Sequence, residues 1–497
     1  MPEPDPIPAQ RRLVHRLGWA VLAPLFTQGL GFARIILLAR LLGPEHYVPV
    51  ALAALVTGAT TAITALGTRT FLIRVPLLSD AMLHTGWTLE VLKGCLIAGL
   101  LLPCAPDLAA WLKAPGASDA VRVSAGIVLL AAFTGLYQVH HDRALDPGPT
   151  ARLNALGSAS DFALSLGPVL LWHTPMAALY GLLASQALKT LASFVQMRRL
   201  PQPALHRADI AVILRFSGWT LLSTAIAYAV NQWDQFTLTQ SLGASALSGY
   251  QVAATLATTP MVFMSAPIYN LIFPTLARQQ GDAQRFRQTL SSAVWMLLAS
   301  GVLMLLVFVA LSPLVFDLAL GHRWSFVTTT AQLLFGAALT RPLMSLLESA
   351  SLARGQARKG MAIQLVRLAS LACLTPAYLA SQDVEDFARI TVAVSLVSLV
   401  AAYAVHEDGR GIWARPASWK PLAGHVSAAS LALTVACAPH GGAYAWHLAA
   451  AVAAPAAYLA ALWTIARLIH DSATCHSMEA LAAHAKPGIR KLLSRQH

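Results

Sequence analysis

Charge is scarce in this 497-residue sequence: Asp, Glu, Lys and Arg together make up 11% of it. That is too little polar surface to clothe a soluble globule of this length. Acidic residues are scarcer than basic ones, 22 against 35, so the formal charge of +13 needs a location. Cysteine occurs five times, at Cys95, Cys104, Cys373, Cys437 and Cys475, scattered and without metal-ligand spacing. The pattern excludes a disulfide framework, and the four cysteines in or beside apolar runs read as small packing residues. Glycine-rich phosphate loops, His-x-x-His helices and nucleophile elbows are all missing, so no cofactor and no catalytic centre is expected. The pair His140-His141 beside Asp142 reads as interfacial, and no metal site is expected. Ten-residue alternation is missing too, which argues against barrel strands.

What is present is apolar: 56% hydrophobic residues and a mean hydropathy of +0.59, in runs near twenty residues long. Such runs place the chain in a bilayer as helices, because a spanning segment must satisfy its own backbone hydrogen bonds. The fold class expected is an all-α, polytopic membrane protein of about fourteen transmembrane helices. The spans fall near 14–40, 47–68, 86–112, 120–140, 152–172, 176–197, 211–238, 247–272, 289–311, 326–350, 361–380, 387–405, 422–438 and 445–468. The apolar segment after Arg11, Arg12 and Arg16 is too long for a signal-peptide core and reads as an uncleaved first helix. Lys and Arg gather in alternate loops, among them Arg69 and Arg74, Arg278, Arg285 and Arg287, and Arg354, Arg358 and Lys359. Both tails are basic, so both termini are expected in the cytoplasm. Trp111, Trp172, Trp324 and Trp446 fall near outer boundaries and suit an aromatic belt. The longest outer loop, near 312–325, leaves no room for a soluble catalytic domain.

Residues 17–60 are echoed without a gap at 217–260, in Gly18/Gly218, Trp19/Trp219, Leu38/Leu238, Leu42/Leu242, Gly43/Gly243 and Ala53-Ala54/Ala253-Ala254. The echo sets Arg34 against Asp234. Six spans separate the copies, so the repeat is expected to be parallel, giving two six-helix lobes around a central cavity. The organisation expected is a tail at 1–13, an N-lobe at 14–210, a C-lobe at 211–410, two further helices at 411–470 and a basic tail at 471–497.

Charges deep in an apolar span are costly, about 2.5 to 3.5 kcal/mol each on insertion scales, and mark functional positions. In the first span Thr27, Gly31 and Arg34 share a face. In the fifth, Asn154, Ser158, Asp161 and Ser165 do so; in the seventh, Thr220, Thr224, Asn231, Asp234 and Leu238; in the tenth, Arg341, Ser345 and Glu348. Arg34, Arg341 and Lys189 are the candidate substrate-binding cations. Asp234, Asn231 and Asp161 are candidates for holding a coupling ion or pairing the lobes. A salt bridge between Arg34 and Asp234 is one reading, and a helix-to-helix hydrogen bond from Asp161 is another.

Three stretches resemble a known family. They are IILLARLLGPEHY (35–47) with LGTRTFLIR (66–74) closing the second helix; WDQFTLTQSLGASALSGYQVAATLATTP (233–260) running on to LIFPTLARQQGD (271–282); and PLVFDLALGHRW (313–324), followed by Arg341-Pro342 and ARGQARKG (353–360). Together they resemble the polysaccharide transporter (Wzx-like O-antigen flippase) family of the multidrug/oligosaccharidyl-lipid/polysaccharide flippase superfamily. GFAR (31–34) is similar to the first-helix segment of the related lipid II flippases, in which the arginine faces the central cavity.

The resemblance implies transfer of an undecaprenyl pyrophosphate-linked oligosaccharide from the cytoplasmic to the periplasmic leaflet by alternating access. It makes Arg34 the leading candidate to meet the pyrophosphate. The expected partners are that substrate, membrane lipid, a proton or sodium ion, and neighbouring polymerase and glycosyltransferase enzymes; no nucleic acid is expected. The alternatives are a lipid II flippase, a multidrug/cation antiporter and, from another class, a membrane-embedded glycan polymerase or ligase. Short outer loops argue against the last.

Overall fold

The computed structural model describes residues 6–468, apart from 64–67, 76–77, 135, 137–138, 140, 142, 144–146, 197–200, 355, 406–426, 431 and 433–443. Among the described residues the chain is helical and contains no strand. The helices are α1 (Pro6–His46), α2 (Val48–Ile63), α3 (Thr68–Arg74), α4 (Asp80–Trp111), α5 (Ser118–Phe133), α6 (Pro147–Trp172) and α7 (Pro175–Val195). They continue as α8 (Arg207–Leu242), α9 (Ala244–Arg278), α10 (Ala283–Leu320), α11 (Val327–Ala338), α12 (Thr340–Ala353), α13 (Ala357–Leu379), α14 (Val384–Val405) and α15 (Tyr444–Leu468).

Each expected span falls on helix, the tenth on two of these helices, except 422–438, most of which lies outside the described residues, as do Cys437, Cys475, His140 and Asp142. By length and apolarity alone, eight of the described helices qualify to cross a bilayer. Differences from the expected boundaries have local causes. The tenth span is two helices that meet at Leu339. Trp324 is 1% exposed and stacks on Phe326, so it serves the interior and not the aromatic belt, whereas Trp111 and Trp172 are exposed as a belt requires. Cys95, Cys104 and Cys373 are exposed and unpaired, so they do not fill the interior as expected.

Sequence sets the helix ends. Ser79 accepts a hydrogen bond from the N–H of Met82, Thr174 from that of Ala177, and Asp282 from those of Gln284 and Arg285. Each thereby satisfies donors that the first turn leaves free. Arg143 does the converse at the end of α3, donating to the carbonyls of Leu72, Ile73 and Val75 at 2.9, 3.2 and 2.6 Å. Lipid offers no hydrophobic drive for helix association, so close packing at small residues carries it. A Cβ at Gly181 would lie 1.8 Å from the carbonyl oxygen of Leu164, which makes α7 cross α6 backbone to backbone. At Gly94 a Cβ would lie 2.2 Å from that of Ala132, where α4 meets α5.

The helices group into two compact units. One comprises 1–252 with 378–384, the other 253–377 with 385–497. In the first, α1 packs on α6, α6 on α7, α4 and α2 on α5, and α8 on α2. The Tyr228 hydroxyl of α8 donates to the carbonyl of Leu55 in α2 at 3.0 Å. The second unit is cored by Phe286, Leu290 and Leu297 of α10 with Leu343, Leu346 and Leu347 of α12, while α15 packs on α10 through Tyr458 and Leu462.

Candidate functional site

Two of the charges singled out from sequence meet in the first unit, Arg34 on α1 and Asp161 on α6, while Lys189 of α7 packs its stem on α6. Nη1 of Arg34 lies 4.0 Å from Oδ2 of Asp161, with the side chains 22% and 44% exposed. That separation is electrostatic contact, beyond hydrogen-bonding distance. Nε of the same arginine is buried and lacks a hydrogen-bond partner. A buried charged donor left unbonded is costly.

Asp161 is held from the other side. Oγ of Ser185 on α7 lies 2.6 Å from Oδ1, and Oγ of Ser160 lies 2.7 Å from that of Ser185. Ser160 also contacts the carbonyl of Gly157 at 2.9 Å. The expected helix-to-helix hydrogen bond at Asp161 is therefore present, and its partner is Ser185. Lys189 stands one turn beyond Ser185, its stem laid over Gly157, where a Cβ would come within 3.0 Å of Cδ. Gln186 and Thr190 extend the polar face of α7, donating to Thr134 at 3.4 Å and to the carbonyl of Leu130 at 2.9 Å.

Asp234 and Asn231 lie on α8, both half-buried. Oδ2 of Asp234 accepts the Tyr250 hydroxyl of α9 at 2.7 Å, and Oδ1 accepts the N–H of Gln235 at 2.9 Å. Arg34 thus faces Asp161, and Asp234 is engaged by Tyr250. Beside it, Oε1 of Gln235 is buried without a hydrogen-bond partner.

Arg341 belongs to the second unit, exposed in the first turn of α12. The stripe read from sequence is preserved: Arg341, Ser345 and Glu348 lie on the less buried side, opposite Leu343, Leu346, Leu347 and Ala350. Nε2 of Gln364 donates to Oε1 of Glu348 at 2.6 Å.

Sequence reasoning passed over Ser185 and Ser160, and took Tyr250 only as part of the resembling stretch 233–260. The first was within reach, since Ser185 precedes Lys189 by four and shares its helix face. Tyr250 carries no such signal, because its link to Asp234 crosses between helices. Glu90 and Lys93 of α4 form a half-buried ion pair, to which the Thr68 hydroxyl adds a hydrogen bond at 2.6 Å. Their pairing gives Lys93 a counter-charge on its own helix.

The model of a family described as polysaccharide biosynthesis protein matches residues 37–329. The chain belongs to this family. This polysaccharide biosynthesis family member is 23% identical over 342 residues to the lipopolysaccharide biosynthesis protein WzxC of Escherichia coli K12, spanning 66% of this chain and 68% of that one. It is 24% identical over 344 residues to the succinoglycan biosynthesis transport protein ExoT of Rhizobium meliloti 1021, spanning 68% and 66%. Among solved structures it is similar to the lipid II flippase MurJ in an inward-closed conformation, with a TM-score of 0.70 at 12% identity over 90% of this chain and 98% of that one. An inward-facing MATE-family multidrug transporter of the MOP superfamily follows at 0.61, with 16% identity over 77% and 94%. At these identities the likeness is one of fold. The family member is a multi-pass membrane protein with a fold of the MurJ and MATE kind.

Proposed function

We propose that this protein is a flippase that carries an undecaprenyl pyrophosphate-linked oligosaccharide from the cytoplasmic to the periplasmic leaflet of the inner membrane, for assembly of a surface polysaccharide. Membership of the polysaccharide biosynthesis family, together with relatives named for lipopolysaccharide and for succinoglycan transport, supports the substrate class. The single observation that carries the reading is Arg34, a partly buried arginine within a membrane helix whose Nε has no hydrogen-bond partner. A guanidinium offers a planar fork that bonds two phosphate oxygens and keeps its charge at any physiological pH. The role is transport and not catalysis, with both termini in the cytoplasm.

In this reading the sequence echo marks two six-helix lobes, 14–210 and 211–410, that rock about a central cavity. Arg34 and Arg341 engage the diphosphate in turn, Lys189 adds a second cation beside Arg34, and Asp234 with Asn231 takes a coupling proton or sodium ion. Such export needs no ATP. A headgroup with about two negative charges gains roughly 2.3 kcal/mol per charge per 100 mV in leaving an inside-negative compartment.

The test is Arg34→Ala at unchanged protein level. Surface polymer is expected to vanish while lipid-linked oligosaccharide accumulates in the cytoplasmic leaflet; unchanged polymer overturns the assignment.

A further inference from the structure

Resting on the diphosphate reading of Arg34, we propose that Asp161 is a built-in stand-in for the substrate's anion and that Ser185 is a positioning residue that keeps it withdrawn. An unstrained Arg–carboxylate pair closes to about 2.7–2.9 Å. Here the gap is 4.0 Å, although both groups are only partly exposed. What keeps the pair apart is on the other side of the carboxylate. An ionised Asp161 accepts only, so the single hydroxyl proton of Ser185 must point at Oδ1, 2.6 Å away. The Ser160 hydroxyl lies 2.7 Å from that of Ser185 and 2.9 Å from the Gly157 carbonyl, and its one proton serves one of these two acceptors at a time. Both serines are buried, Ser185 completely and Ser160 at 7% exposure, and they lie on α7 and α6, whose backbones touch at Gly181. Two locked helices therefore hold the carboxylate back.

The consequence is a site balanced for exchange. Arg34 keeps a counter-charge nearby when no substrate is bound, which makes the empty carrier tolerable in lipid. Its donors nevertheless stay unsaturated, Nε included, so a diphosphate makes bonds that Asp161 does not. Lys189, four residues beyond Ser185, tips the local charge positive and favours the diphosphate, which carries more charge than one carboxylate.

The experiment measures binding of undecaprenyl pyrophosphate to the full-length chain in nanodiscs, with inorganic pyrophosphate as a second arm. Asp161→Asn removes the rival anion and is expected to tighten binding roughly threefold to tenfold. Ser185→Ala lets Asp161 close on Arg34 and is expected to weaken binding by a similar factor. In the Asp161→Asn background, Ser185→Ala is expected to change nothing. Equal losses from Ser185→Ala in both backgrounds, or no tightening in Asp161→Asn, overturn the proposal, and Asp161→Asn decides alone if Ser185→Ala fails to accumulate. Tightening confined to the lipid places the recognised group on a lipid headgroup, and tightening in both arms places it on the diphosphate itself; either result supports the exchange. Arg34→Ala separates the two levels of inference. Binding that survives it sinks the diphosphate reading, whereas binding lost in Arg34→Ala but indifferent to Asp161→Asn sinks only the stand-in.

Discussion

Gly43 and Gly243, 200 positions apart in the ungapped echo, hold nearly the same backbone: φ 72° and ψ 169° at the first, φ 89° and ψ 175° at the second. Gly43 kinks α1 near its end, and Gly243 stands between α8 and α9. Each carbonyl accepts from the N–H four residues on, Tyr47 at 3.1 Å and Leu247 at 3.4 Å. Positive φ with ψ near 180° is open to glycine and almost closed to residues with a Cβ. The two aligned columns therefore carry one geometry as well as one residue type.

Gly43→Ala and Gly243→Ala should each destabilise the protein by about 1–3 kcal/mol, the usual cost of a side chain in that region. Thermal unfolding in detergent is the measurement. Gly99→Ala, in the middle of α4 with open space around its would-be Cβ, should leave the midpoint unchanged or raise it slightly.

Gly181→Ala should be far more damaging than its chemistry indicates. The new Cβ would sit 1.8 Å from the backbone oxygen of Leu164, which no rotamer change relieves, so α6 and α7 must separate. Yield of monodisperse protein on size exclusion should collapse, while Gly167→Ala, with nothing within 4 Å, should give normal yield.

Arg34→Lys keeps the charge and loses the fork. If Arg34 serves as a bidentate diphosphate ligand, affinity for undecaprenyl pyrophosphate should fall about tenfold, with folding unaffected. Affinity equal to that of the unaltered protein would reduce Arg34 to a point charge.

Tyr250→Phe removes the hydroxyl that Asp234 accepts at 2.7 Å. A hydrogen bond to a carboxylate in a buried setting contributes about 1.5–3 kcal/mol. The loss should appear as a lower unfolding midpoint. It should shrink to near nothing in an Asp234→Ala background, so that a double-mutant cycle returns a coupling of that size.

The helical class and the positions of the helices were legible because the bilayer leaves so few choices. A run of about twenty apolar residues has to satisfy its own backbone bonds, and the helices at 80–111, 147–172, 175–195 and 283–320 lie where those runs are. Breaks were harder to see. Nothing in the apolar pattern around Leu339 separates α11 from α12, since local turns depend on neighbours distant in sequence. The polar stripes survived on the faces that their spacing required: Arg341, Ser345 and Glu348 on α12, and Ser158 with Asp161 on α6.

Residue order alone thus determined that this is an all-helical membrane protein, and which faces carry charge, because hydrophobic run length and a 3.6-residue period are properties of a single segment. The identity of each charge's partner was decided only in three dimensions. Sequence offered Asp234 as the counterpart of Arg34, and the fold set Arg34 against Asp161 and gave Asp234 to Tyr250. Periodicity says which way a side chain faces; which helix lies opposite is settled by packing, here by α1 lying on α6 and by a glycine that lets α6 and α7 touch.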